Sequence, residues 1–294
     1  MVLIQKLSNK VAIFLEMIKF EHSIFALPFA YLGLFLAEGG WPRPHLLGWV
    51  TLAMVSFRTM AMAANRLVDV PVDRLNPRTQ NRALPKGLLR PLFVWTVTFL
   101  ALALFEFSTW QLNPLCFQLS IIPVLLAWIY PFAKRFTWLS HGILGIILGI
   151  APYGAWLASR EEFSWIPGLL TIGVTAWVAG FDIIYALQDM DFDRKHHLFS
   201  FPARFGSRGG LVVTRVLHAV AVASWWAAGI LSGRGFIYMF GMLAVTGFLI
   251  RENWLIRSFG LTKVGEAFFT MNAVTSIALF LAAAADLSFK GFGL

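Results

Sequence analysis

The chain has 294 residues, 58% of them hydrophobic and 13% charged, with a mean hydropathy of +0.71, whereas a soluble domain is about a quarter charged. Its apolar runs recur along the whole length and are continuous rather than alternating, which excludes a membrane β-barrel and predicts an all-α integral membrane protein. The net charge of +9 does not imply a nucleic-acid partner here, because in a membrane protein the placement of charge carries the information, and the lone Cys116 excludes an internal disulfide or thiolate metal cluster.

In chain order, no cleavable leader is expected, since Lys6, Lys10, Glu16 and Lys19 interrupt the first 20 residues and no small-residue cleavage site follows an apolar core. Nine spans are then predicted, at about 22–38, 46–70, 92–108, 114–131, 140–158, 166–190, 211–230, 236–250 and 264–285. Charge supports the count. The N-terminus and the loops after spans two, four, six and eight hold 18 of the 24 basic residues, while the opposite side holds Arg43, Arg160, Arg234 and Lys290. That asymmetry places the N-terminus in the cytoplasm. The chain reads as one transmembrane domain over 1–294, with its two longest loops, about 71–91 and 191–210, on the cytoplasmic side.

Span two ends in an acidic stripe. Asn65, Asp69 and Asp73 are spaced i, i+4, i+8 and share one helix face. Span six ends in another, Asp182, Asp189 and Asp193 at i, i+7, i+11, with Asp191 pointing elsewhere. The two sets lie four spans apart in similarly oriented helices, the pattern of a parallel internal repeat. Acids at a helix end can simply reach water beside arginines. Two stripes on one membrane side argue instead for a shared internal site, because carboxylates at membrane depth are expensive and normally face a cavity with a partner. All-oxygen donors suit Mg²⁺, which binds through a few carboxylates plus substrate phosphates, and the adjoining Arg and Lys suit those phosphates.

Three motifs carry a resemblance. Asn65-Asp69-Asp73 forms NxxxDxxxD, Asp189-Asp193 in "FDIIYALQDMDFDRK" forms DxxxD, and Tyr130-Lys134 in "YPFAKRFT" forms YxxxK. With "RTQNRALPKG" after the first motif and "FSFPARFG" after the second, the chain resembles the UbiA-type intramembrane aromatic prenyltransferases along nearly its whole length. It departs from the family at Pro71, between the two acids of the first motif, where the helix either ends or kinks. It also departs at Arg66, where many members carry Asp, and at Lys19, where many carry arginine.

The resemblance implies a bundle around a central cavity, capped on the cytoplasmic side by loops 2–3 and 6–7. It implies Mg²⁺ as cofactor, held by Asn65, Asp69, Asp73, Asp189 and Asp193. The polyprenyl diphosphate head would sit there, with Tyr130 and Lys134 assisting the leaving group and Arg78 and Arg204 contributing charge. Arg58 is expected to hold an aromatic carboxylate, and Asp182 or Tyr185 the phenol. The implied reaction prenylates 4-hydroxybenzoate or 1,4-dihydroxy-6-naphthoate in ubiquinone or menaquinone biosynthesis, at the inner membrane of a bacterium, with no required protein partner. "FEHSIFALPFA" and "NPRTQNRALP" look most like the naphthoate branch. Another acceptor or an ion-coupled transporter are the alternatives; the clustering of acids at one face rather than at the midplane disfavours transport.

Smaller features read as structural. Gly142, Gly145 and Gly149 suggest close helix packing, and Asn272 an interhelical hydrogen bond. His196 and His197 flank the second motif within reach of phosphate.

Overall fold

The computed structural model describes residues 2–291, apart from the side chains of 2–8, 22–25, 267, 268, 290 and 291. Lys6 and Lys290, counted in the charge asymmetry, lie outside the described side chains, as do His22–Phe25 of "FEHSIFALPFA".

The described residues form helices and no strands, in the order α1 (Val2–Met17), α2 (Ser23–Glu38), α3 (Pro44–Asp73), α4 (Pro91–Leu112), α5 (Pro114–Leu119), α6 (Ile121–Ala133), α7 (Ser140–Arg160), α8 (Trp165–Ala186), α9 (Met190–Lys195), α10 (Phe201–Leu231), α11 (Phe236–Phe259) and α12 (Asn272–Gly291). Among them are eight stretches long and apolar enough to cross a membrane, α5–α6 and α8–α9 each counting as one. The first predicted span is α2, whose apolar part, 26–38, is shorter than these. It is the buried centre of the bundle, packed by α7, α12 and α3. Phe29 stacks on Trp225 at a ring distance of 5.6 Å and meets Trp177 at a tilt, at 5.0 Å.

Two elements differ from expectation. Residues 2–17 form the helix α1, which no apolar run announces; Phe14, Met17 and Ile18 pack on Ala63, Leu84 and Val94, over the ends of α3 and α4. The predicted span 211–230 starts ten residues earlier, in α10. There the Ser200 side chain accepts a hydrogen bond from the Ala203 N–H, Pro202 opens the helix, and Gly206, at φ +74°, kinks it.

α7 and α8 meet face to face through glycine. A Cβ on Gly145 would stand 2.4 Å from the Thr175 carbonyl oxygen, and one on Gly149 would stand 2.2 Å from the Thr175 hydroxyl. Only hydrogen fits there, as in other close membrane-helix contacts. Gly142 meets nothing within 4 Å and takes no part. Gly145→Ala is therefore expected to lower stability by about 1–3 kcal/mol, while Gly142→Ala does not destabilise. Thermal unfolding of the two variants in detergent checks this; equal unfolding temperatures would refute the assigned contact.

Candidate active site

A cavity of about 980 Å³ runs through the bundle. Along α3 its wall extends from Val50 to Asp73, about 35 Å at 1.5 Å per residue. Its far end is apolar, with Leu112, Cys116, Leu157 and Phe163, and its near end is densely charged.

α3 delivers the first acidic set as predicted. Pro71 does not end the helix: it lies in the last turn, and α3 continues to Asp73, with the Arg74 N–H donating to the Val70 carbonyl. Only the bond that a residue-71 N–H would make is lost, at a position where few further bonds remain to break. Asn65, Asp69 and Asp73 all line the cavity, and the Asn65 Nδ2 donates to Asp69 Oδ2 at 3.1 Å.

The second set arrives from α8 and α9 through a single 3₁₀ turn, Leu187–Asp189. Asp182, Asp189 and Asp193 line the same cavity, and Asp191 is exposed. The two sets therefore meet at one end of one chamber, with Asp73, Asp189 and Asp193 only 5%, 6% and 2% exposed.

Arginines from the 74–90 segment hold two of these acids. Arg82 Nη1 donates to both oxygens of Asp73, at 2.8 and 2.9 Å. Arg78 donates through Nε to Asp189 Oδ1 at 2.8 Å and through Nη2 to Oδ2, the planar fork matching the carboxylate. Its Nη1 donates to the Tyr185 hydroxyl at 2.8 Å, and the guanidinium lies 5.0 Å from the Tyr185 ring centre. Burial pulls the Arg78 guanidinium down, but the hydrogen bond and charge of Asp189 outweigh it and hold the group above its ordinary value. Asn76 Nδ2 adds a third donor to Asp189, at 3.0 Å. Lys134, at the end of α6, lines the same region and acts through its charge on Asp69, Asp189 and Asp193.

The other predicted residues divide. Tyr130, Arg58, Asp182 and Tyr185 line the cavity. Arg58 sits deeper along α3 than the acids, its Nη2 donating to the Lys19 carbonyl at 3.0 Å. Arg204 does not join them: it is exposed on α10, over the Phe205 ring, and is not part of the cavity wall. His196 and His197 are likewise exposed and outside the wall.

Four participants were given no site role from sequence. Asn76 and Arg82 approach the acids only because 74–90 folds back over α3. Arg66 lines the cavity and ties α3 to the turn after α1, its Nε donating to the Met17 carbonyl at 3.2 Å. His141 is buried against Asp182, Nδ1 to Oδ2 at 2.6 Å, while its Nε2 accepts the Phe201 N–H at 3.3 Å. That second bond fixes the tautomer, so Nδ1 carries the proton and points it at Asp182. A lone histidine at the start of an apolar helix carries no signal of this pairing.

The donor set suits a hard cation, since every candidate ligand atom is oxygen. Asp193 keeps a buried oxygen, Oδ2, with no hydrogen-bond partner, as a carboxylate reserved for a cation would. No three acids or histidines among the described residues stand close enough to form a finished metal cage. The arginines hold Asp73 and Asp189 instead.

The description of the UbiA prenyltransferase family matches residues 26–282. The chain belongs to that family. It is 31% identical over 261 residues to the 4-hydroxybenzoate octaprenyltransferase of Aliivibrio fischeri strain MJ11, covering 87% of this chain and 89% of that one. Among solved structures, a UbiA homolog from Aeropyrum pernix K1 superposes with a TM-score of 0.83 at 34% identity, over 90% of this chain and 98% of that one. A UbiA homolog from Archaeoglobus fulgidus bound to GPP and Mg²⁺ shares the fold, at TM-score 0.71 and 19% identity, over 93% and 99% of the two chains. The protein is thus an integral membrane member of a prenyltransferase family.

If the Arg78 fork neutralises Asp189, Arg78→Ala leaves a buried carboxylate partly unmatched and lowers stability by about 1–3 kcal/mol. Arg78→Ala/Asp189→Asn should recover much of that loss. Thermal unfolding of both variants is the check, and purely additive losses would refute the pairing.

Proposed function

We propose that this protein transfers a polyprenyl group from a polyprenyl diphosphate to the ring of 4-hydroxybenzoate, yielding a quinone precursor. The observation that carries the reading is the convergence of two acidic sets and their arginines on one end of a cavity whose far end is apolar and which is about as long as a membrane is thick. The name borne by its bacterial relatives supports the choice of acceptor. The asymmetry of basic residues supports a bacterial inner membrane with the charged end at the cytoplasm.

Asn65, Asp69, Asp73, Asp189 and Asp193 would hold Mg²⁺, as the Archaeoglobus relative binds it with GPP. Bound there, the cation supplies charge neutralisation for departing diphosphate. Arg78 and Arg82 exchange the carboxylates of Asp189 and Asp73 for diphosphate oxygens when the donor enters, and Lys134 with Tyr130 steadies the leaving group. The apolar length of the cavity takes the prenyl tail and keeps water from the allylic cation. Asp182, oriented by His141, accepts the acceptor's hydroxyl, and Arg58 its carboxylate. The carbon–oxygen bond to diphosphate breaks to leave the allylic cation, the ring carbon then bonds to its C1, and the ring proton passes to the departed diphosphate.

In membranes supplied with a labelled prenyl diphosphate, 4-hydroxybenzoate should be prenylated, and chelation of divalent cations should stop the reaction. Asp69→Asn and Asp189→Asn should each reduce turnover by about 10²–10³-fold while remaining folded. Running 1,4-dihydroxy-6-naphthoate in parallel tests the acceptor, and turnover of the naphthoate alone would replace it. Prenylation of neither ring, or near-normal turnover in either variant, would remove the proposal.

A further inference from the structure

The charged end of the bundle carries a second basic feature, outside the cavity. A groove between α10 and α11 is lined by Ser207, Arg208, Leu211, Val212, Arg215 and Arg257. Arg208 and Arg215 are seven residues apart on one face of α10, and Arg257 comes from the last turn of α11. No carboxylate lines this groove.

Several arginines at this end are engaged. Arg78 and Arg82 hold Asp189 and Asp73, Arg66, Arg135 and Arg194 donate to backbone carbonyls, and Arg251 stands 3.9 Å from Glu266. Among the described residues the three groove arginines have no ion pair or hydrogen bond of their own. Three guanidiniums held together without a counter-charge repel one another, and an anion at the groove relieves that repulsion.

The position says which anion. Val212, Val216 and Val220 are exposed on α10, Trp254 and Phe259 on α11, and Leu261 just beyond it. The groove thus sits where apolar, lipid-facing surface gives way to charge, at the depth of phospholipid headgroups. Basic pockets between transmembrane helices on the cytoplasmic side suit anionic headgroups. We infer that Arg208, Arg215 and Arg257 form a binding site for the phosphate headgroup of an anionic phospholipid, whose acyl chains lie along the exposed valines of α10.

Native mass spectrometry of the full-length protein, titrated with phosphatidylglycerol or phosphatidylcholine, tests the site. Phosphatidylglycerol should be retained in preference to phosphatidylcholine. The triple variant Arg208→Gln/Arg215→Gln/Arg257→Gln should bind it about a hundredfold more weakly, with its thermal unfolding unchanged. Arg74→Gln/Arg90→Gln removes two exposed arginines of the same membrane side that lie outside the groove, and should leave retention intact. Equal retention in wild type and triple variant overturns the inference, as does equal loss in the two arginine variants, which would indicate diffuse attraction. Displacement of the lipid by millimolar inorganic phosphate would also overturn it, by showing a site for free anion. None of these readouts depends on prenyl transfer.

Discussion

The organisation of this protein depends on how five acids are kept at the end of an apolar bundle. Each carboxylate withdrawn from water there must be matched by a cation or by several hydrogen-bond donors, or the fold pays its desolvation. The 74–90 segment provides that match for two of them, Asp73 and Asp189. Arg82 closes on both oxygens of Asp73, and Arg78 with Asn76 places three donors on Asp189. The same contacts bring α3 and α8 to a common end of the cavity, so the neutralisation of charge and the assembly of the site are one event.

Rigid packing elsewhere makes that possible. α2, too short to rank with the other membrane-crossing helices, is enclosed by aromatic contacts with Trp177 and Trp225. The close approach of α7 and α8 at Gly145 and Gly149 fixes the helix that carries Asp182 against the one that carries His141. Beyond that contact, Arg66 and Arg58 pin the turn after α1 to α3.

Local spacing made part of this legible. The i, i+4, i+8 stripe of Asn65, Asp69 and Asp73 survives because helix geometry alone sets which residues of α3 share a face, whereas Asp182, Asp189 and Asp193 reach the same cavity across the 3₁₀ turn Leu187–Asp189. Close glycine packing was equally readable at Gly145 and Gly149, though not at Gly142, since spacing cannot say where a neighbouring helix stops. Pairings across the chain were hidden. Nothing local tells Asn76 from other loop asparagines, links His141 to Asp182 forty-one residues on, or shows that Arg204 is exposed outside the cavity wall. α1 was missed because Gln5, Lys6, Ser8, Asn9 and Lys10 interrupt its apolar residues.

The account stands on a single chamber shared by the two acidic sets. Its most direct test is the structure of the protein with Mn²⁺ and an unreactive prenyl thiodiphosphate, with the metal located by anomalous scattering. The account predicts metal density in contact with carboxylates of both α3 and the α8–α9 end, with the diphosphate between them and Arg78 and Arg82 released from Asp189 and Asp73. Metal density remote from either set, or a diphosphate bound while both arginines keep their carboxylates, would contradict it.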